Sequence, residues 1–264
     1  MTFPPERDDL PRETGELSRG IAAEVTWGVR EIAIGGLLIV GLLFVLLTIA
    51  VLAIEVAGYD PESAEGLAIQ ILLTSLPWDI AIVLVVYQLV SKKGAGWREL
   101  GLRPASASGG ASPMRQLFLT VGLAYIASIL SVQAYAVMLE AIGLDELLPS
   151  QQIPDEIYDF GWLLAMFAIF GVTLVPFAEE LFFRGFFFAG LRRRLMFPLA
   201  AGISGFFFSL AHADPGLIIP FTGVGIILAY SYERTGTLLA PIGVHVLFNL
   251  GSFLVLIFVP EARE

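Results

Sequence analysis

The sequence predicts an all-α fold: a polytopic transmembrane helical bundle of about seven spans. Three observations lead there. Of 264 residues, 56% are hydrophobic and only 15% charged, with a mean hydropathy of +0.80. A soluble domain of this length needs polar side chains to cover its surface, and this composition does not supply them. Several uncharged apolar runs reach the roughly 20 residues that cross a hydrocarbon core as helix. Finally, Lys and Arg concentrate in alternate loops, as they do when a chain crosses a membrane repeatedly.

Residues 1–31 form a polar tail. Leu17, Ile21, Val25 and Val29 recur four apart, which fits an amphipathic helix lying on the membrane surface or a simple lead into the first span. The tail lacks the short apolar core of a cleavable signal peptide. Residues 32–160 hold the first three spans and their loops. Span one runs over Ile32–Ile54 without a charge, and span two over Leu67–Val90, interrupted by Pro77 and Asp79. After the Ser/Gly-rich stretch Ser106–Pro113 comes span three, Leu117–Leu139. Residues 161–264 form the remaining core. Its spans are Trp162–Leu191, Pro198–Ala213, Leu217–Tyr232 and Leu238–Val259, and no internal repeat is visible.

The basic residues fix the span count. Arg7, Arg12, Arg19 and Arg30 precede span one; Lys92, Lys93, Arg98, Arg103 and Arg115 follow span two. Arg192, Arg193 and Arg194 follow span four, and Arg234 follows span six, whereas the intervening loops carry none. Only Arg263 falls on the other side. Seven spans with a cytoplasmic amino terminus satisfy this alternation, in a multi-pass cell-membrane protein. The formal charge of -10 reflects acids in two loops, Glu55–Glu65 and Glu140–Asp159, rather than a charged partner. No basic stripe with interleaved aromatics supports nucleic-acid binding. The chain has no cysteine, so disulfides, thiolate zinc sites and cysteine nucleophiles are excluded.

An ionised residue at mid-membrane costs about 2.5–3.5 kcal/mol or more, so each one needs a reason to be there. Span four holds three, in FAEELFFRGFF. Glu180 and Arg184 are four apart, the favourable order for an ion pair on one helical face. Glu179 points about 100° away and stays available. The two histidines are both expected within spans: His212, with Phe208 one turn earlier, and His245, with Asn249 four residues later on the same face. Counted from the nearest cytoplasmic-side landmark at about 1.5 Å per residue, Glu179 lies about 20 Å deep, His212 about 21 Å, and His245 and Asn249 about 16 and 22 Å. Three spans therefore bring polar groups to one depth, which places an active site inside the membrane. A lone buried histidine is usually a packing residue; two with a free acid and an Asn favour a site. Asp79 reads as structural or pore-lining, Glu140 as a solvated span end, and Asp214 with Pro215 and Gly216 as a turn.

Taken in order, Glu179-Glu180-x-x-x-Arg184, Phe208-x-x-x-His212 and His245-x-x-x-Asn249 resemble the CAAX-processing and bacteriocin-immunity (CPBP, or Abi) intramembrane proteases, related to the type II CAAX prenyl endopeptidase. The resemblance covers about Trp162–Val259. It implies hydrolysis of a peptide bond, in a peptide or a membrane-anchored protein substrate, within membrane lipid. Glu179 with His212 would orient and deprotonate a water, and His245 with Asn249 would donate to the developing oxyanion. Glu180, Arg184 and Phe208 would support the arrangement. No cofactor is favoured. Zinc held by Glu179, His212 and His245 is the alternative, although the usual helical zinc-protease string with two histidines four apart is absent. The competing functions are a catalytically silent immunity or scaffold membrane protein and, behind it, a proton-coupled transporter using the same residues as a relay.

Overall fold

The structure is a computed structural model and describes residues 21, 24–105, 112–148, 158 and 160–259. Leu17 of the tail stripe, Arg7, Arg12, Arg19, most of the Ser/Gly-rich stretch, the acidic stretch 149–157 and Arg263 lie outside the described residues. Seven helices account for the spans: α1 (Val29–Ala57), α2 (Ala64–Ser91), α3 (Pro113–Ile142), α4 (Gly161–Arg192), α5 (Phe197–Leu210), α6 (Ile218–Thr235) and α7 (Leu239–Phe258). Six of these segments are long and apolar enough to cross a membrane. The exception, α5, has 14 residues, or about 21 Å of rise, short of a hydrocarbon core of about 30 Å.

Large apolar side chains point outward along the bundle, among them Leu37, Phe44 and Val51 on α1 and Phe118, Leu123 and Leu130 on α3. Such exposure is unfavourable in water and ordinary in lipid. Inside, α1 packs on α2, α2 on α4, α5 on α6, and α3 against both α6 and α7. The α5–α6 crossing depends on bare backbone: a Cβ on Gly225 would sit 2.5 Å from Gly205 Cα, and one on Gly205 would sit 2.7 Å from Thr222 O.

Two helices depart from regular α geometry. In α2, residues Ile71–Ser75 form a π turn that closes with Leu76 N donating to Ile71 O. Pro77 follows immediately. Its ring would meet the carbonyl four residues back in a regular helix, and a widened turn relieves that clash. Span two therefore runs through Pro77 without ending. In α4 the helix breaks at Thr173 (φ -117°, ψ -69°), with Pro176 just beyond, and widens into a π helix over Leu181–Phe188. Both acids sit at the end of the short stretch between the break and the widening.

One end of the bundle is laced by polar contacts. Trp27 is fully buried, stacks on Phe186 and donates its indole N–H to the Phe186 carbonyl at 2.8 Å. Arg193 donates to Trp27 O, Arg192 pairs with Glu233 at 2.6 Å, and Lys93 pairs with Glu31 at 2.9 Å. The segment Trp97–Pro104 closes over the α6–α7 connection. Gly101 O accepts from Leu238 N, Arg103 O from Thr237 Oγ1, and Leu100 O from the Tyr232 hydroxyl. Gly101 adopts φ +100° with the Tyr232 ring against it, a place no side chain would fit. Arg103 also pairs with Glu24.

Candidate active site

The polar centre is built outward from a buried ion pair. Glu180 and Arg184, both on α4 and both 0% exposed, meet at 2.8 Å between Oε1 and Nη1. A buried charge pair costs least when its remaining hydrogen-bonding capacity finds partners, and here part of it does, although Glu180 Oε2 and Arg184 Nε find none among the described residues. Arg184 directs Nη2 to Gly225 O at 3.3 Å and lies 4.3 Å from the centre of the Phe208 ring, over its electron-rich face. The glycine that brings α5 and α6 together thus also supplies a carbonyl to the guanidinium.

Glu180 has a second partner. His245 of α7 approaches its Oε1 with Nδ1 at 2.9 Å. A carboxylate only accepts, so Nδ1 carries the proton and donates. The opposite ring nitrogen, Nε2, stands 3.9 Å from Glu179 Oε2. That is too long for a direct hydrogen bond and short enough for one water to touch both atoms. Glu179 Oε2 accepts no hydrogen bond among the described residues. Its side chain retains 15% exposure, whereas His245 retains 7%. The two adjacent acids therefore differ in their partners: Glu180 holds an arginine and a histidine through Oε1, whereas Glu179 makes no hydrogen bond through its buried Oε2.

His212 differs from the expectation that it lies within a span. Helix α5 ends at Leu210, and His212 occupies the turn beyond it. The physical cause lies downstream, where Pro215 disfavours a helical Asp214 and Ala213 takes a left-handed conformation, φ 54°. Asp214 forms the expected turn, accepting from Gly216 N at 2.8 Å. His212 points Nδ1 at Phe208 O, 2.9 Å away, so a proton there is donated to its own helix. That leaves Nε2 as the nitrogen with a lone pair. Phe208 and Phe221 hold the ring edge-on at centroid distances of 4.8 and 4.6 Å. Phe208 also contacts His245, at 5.8 Å, and so lies between the two imidazoles. The nearest histidine contact of Glu179 in the structure is with His245 rather than His212.

Asn249, one turn beyond His245, donates Nδ2 to Gly171 O at 2.7 Å. The bond orients its amide and leaves one of the two N–H groups for another acceptor. No group of three or more His, Asp or Glu among the described residues is clustered as a metal-binding set. Asp79, expected to be structural or pore-lining, is 3% exposed and near enough to Glu179 for their charges to interact. Gly171, Gly225 and Phe221 gave no sequence signal of their own; each matters through a contact to a residue from another segment.

Residues 161–251 match the protein family described as type II CAAX prenyl endopeptidase Rce1-like. The chain is 32% identical over 89 residues to "Putative membrane peptidase YdiL" of Bacillus subtilis, covering 34% of this chain and 36% of that protein. It is 28% identical over 136 residues to "Membrane-embedded CAAX protease MroQ" of Staphylococcus aureus, covering 48% of this chain and 55% of that protein. The matched regions thus span between about a third and about half of these relatives. No solved structure matches the chain. The matched segment contains the ion pair, both histidines, Glu179 and the tethered asparagine, and over residues 161–251 this multi-pass membrane protein is similar to the Rce1-like type II CAAX prenyl endopeptidases.

Proposed function

We propose that the chain is an intramembrane endopeptidase that hydrolyses a peptide bond in a peptide or membrane-tethered protein, with Glu179 activating the water. The observation that carries this reading is the unpartnered Glu179 Oε2 standing 3.9 Å from Nε2 of an imidazole whose other nitrogen is anchored on Glu180. Glu180, by contrast, is engaged by both Arg184 and His245 through Oε1.

Glu179 Oε2 takes a proton from water as the water oxygen bonds to the scissile carbonyl carbon. The Nε2 lone pair of His212 would help orient that water. Negative charge then develops on the former carbonyl oxygen. The free amide N–H of Asn249 and Nε2–H of His245, when both its ring nitrogens carry protons, are the donors for it. Return of the proton from Glu179 to the departing nitrogen accompanies C–N cleavage and restores the carboxylate. Arg184 and Glu180 hold His245 and balance charge, and no step is routed through a metal.

Orientation and substrate belong to the same proposal. The bundle end carrying Lys93, Arg103, Arg192 and Arg193 faces the cytoplasm, as the basic-loop alternation requires. The name of the Staphylococcus aureus relative points to substrates with a carboxyl-terminal CAAX-type sequence as the class to test first. The test compares peptide termini across cells carrying wild-type protein or Glu179→Gln. Termini that vanish in the variant are expected; an unchanged set, with the variant at normal abundance, overturns the reading.

A further inference from the structure

Hydrolysis consumes water, and a site inside a bilayer has to obtain it through hydrocarbon-facing helices. Span two contains polar side chains that the proposed chemistry does not use. Thr74 is 8% exposed, and its hydroxyl has no hydrogen-bond partner among the described residues. A helical threonine can bond the carbonyl one turn back. Thr48, Thr173 and Thr222 all do so, to Phe44 O, Ile169 O and Ile218 O at 2.6–2.8 Å.

Five residues on, Asp79 is 3% exposed. It faces the helix that carries Glu179, whose Oε2 is likewise unpartnered. Toward the other end of α2, one turn before Thr74, Gln70 is exposed and donates to Pro61 O at 3.2 Å. Gln70, Thr74 and Asp79 therefore lie in order along α2 from an exposed helix end toward the helix that bears Glu179, about 13 Å along the α2 axis from Gln70 to Asp79. The Thr74 hydroxyl and Glu179 Oε2 are buried and unpartnered, and water bridging them removes the cost of leaving them dry.

We propose that Gln70, Thr74 and Asp79 form a hydrated line that delivers water to Glu179 from the bundle end opposite the arginine-rich one. Thr74 and Asp79 are positioning residues for water, not catalytic ones. The line's role in hydrolysis rests on the proteolytic reading, but its hydration does not.

The chain lacks cysteine, so a substituted cysteine is its only thiol. The probe is silver ion in chloride-free buffer, charged enough to shun hydrocarbon and small enough to follow water. Each variant is exposed to silver in detergent micelles, then denatured and treated with a fluorescent maleimide to count the thiols left. Silver should block Thr74→Cys at least about tenfold faster than Ala68→Cys or Ile82→Cys, since only a hydrated thiol ionises readily. Both controls are equally buried, in apolar surroundings, and Ala68 lies nearer the helix end, so fraying would label it first.

Equal rates at Thr74 and Ala68, or no block at Thr74 in folded protein, would overturn the line. The isosteric Thr74→Val gives a second readout: turnover should fall several-fold with KM unchanged, and unchanged turnover also counts against the proposal. Glu179→Gln is expected to lose cleavage while keeping silver block at Thr74. Block without any Glu179-dependent cleavage would remove the hydrolytic function and leave only a hydrated span.

Discussion

His245 Nδ1 and Glu180 Oε1 lie 2.9 Å apart although 65 residues separate them in the chain. The contact gives Glu180 two partners and turns the far ring nitrogen toward Glu179. It also makes the two neighbouring acids separable by experiment. Glu179→Gln should retain near-normal folded yield and lose about 10²–10⁴ in cleavage rate. Glu180→Gln leaves Arg184 without its counter-charge in a site of 0% exposure, which costs about 3–5 kcal/mol and should lower both Tm and yield. Equal thermal stability for the two variants would contradict the division of roles.

Asn249→Ala should reduce turnover by about 10²–10³ with little change in KM, the loss expected for an oxyanion donor. Asn249→Asp is the sharper variant. It puts an acceptor against Gly171 O and against the developing oxyanion, so it should be inactive and less stable as well. Steady-state kinetics with thermal melts distinguishes the two; retained turnover in Asn249→Ala removes the residue from the mechanism.

The α5–α6 crossing admits no added methyl group at Gly225, where a Cβ would stand 2.5 Å from Gly205 Cα. Gly225→Ala should cost about 1–3 kcal/mol through overpacking and should displace Phe208 and Phe221 from the imidazoles. Gly223, where an added methyl group would meet nothing within 4 Å, is the internal control. Gly223→Ala should leave Tm and activity unchanged.

Topology has its own test. A reporter fused after Arg194 should report cytoplasm, and one after Ala57 the opposite side. Two reporters on the same side would remove the seven-span arrangement and the orientation together.

Cleavage should persist after chelation of purified protein, because the proposed water activation by Glu179 uses no metal. Metal analysis and activity before and after chelator check this. Near-stoichiometric zinc that disappears in His212→Ala or His245→Ala, with activity restored only by metal, would reverse the choice in favour of a metal mechanism.

Much of this arrangement was legible from spacing. The observed helices agree with the hydropathy-derived spans to within a few residues, and the i, i+4 relation of Glu180 and Arg184 is a real 2.8 Å contact. Convergence between helices was not legible, because periodicity assigns a face but not the neighbour that the face meets. The His245–Glu180 and Asn249–Gly171 bonds arise only when α7 and α4 cross. The π turns at Ile71 and Leu181 were equally hidden, since no residue preference marks them beyond the nearby Pro77. His212 was assigned to a helix although Asp214-Pro215 signalled its end, because the apolar run FFFSLA outweighed the turn residues.

The bond from Trp27 to the Phe186 carbonyl joins residues 159 positions apart. During synthesis Trp27 emerges before α1, yet its docking place does not exist until α4 has been made. Gly190 must also be seated, for a Cβ there would come within 3.1 Å of the indole. Burial of Trp27 is therefore a late event in assembly, and it comes only after the helix bearing the acids has been built and turned to present that carbonyl. A segment made before α1 thus finds its place only after α4.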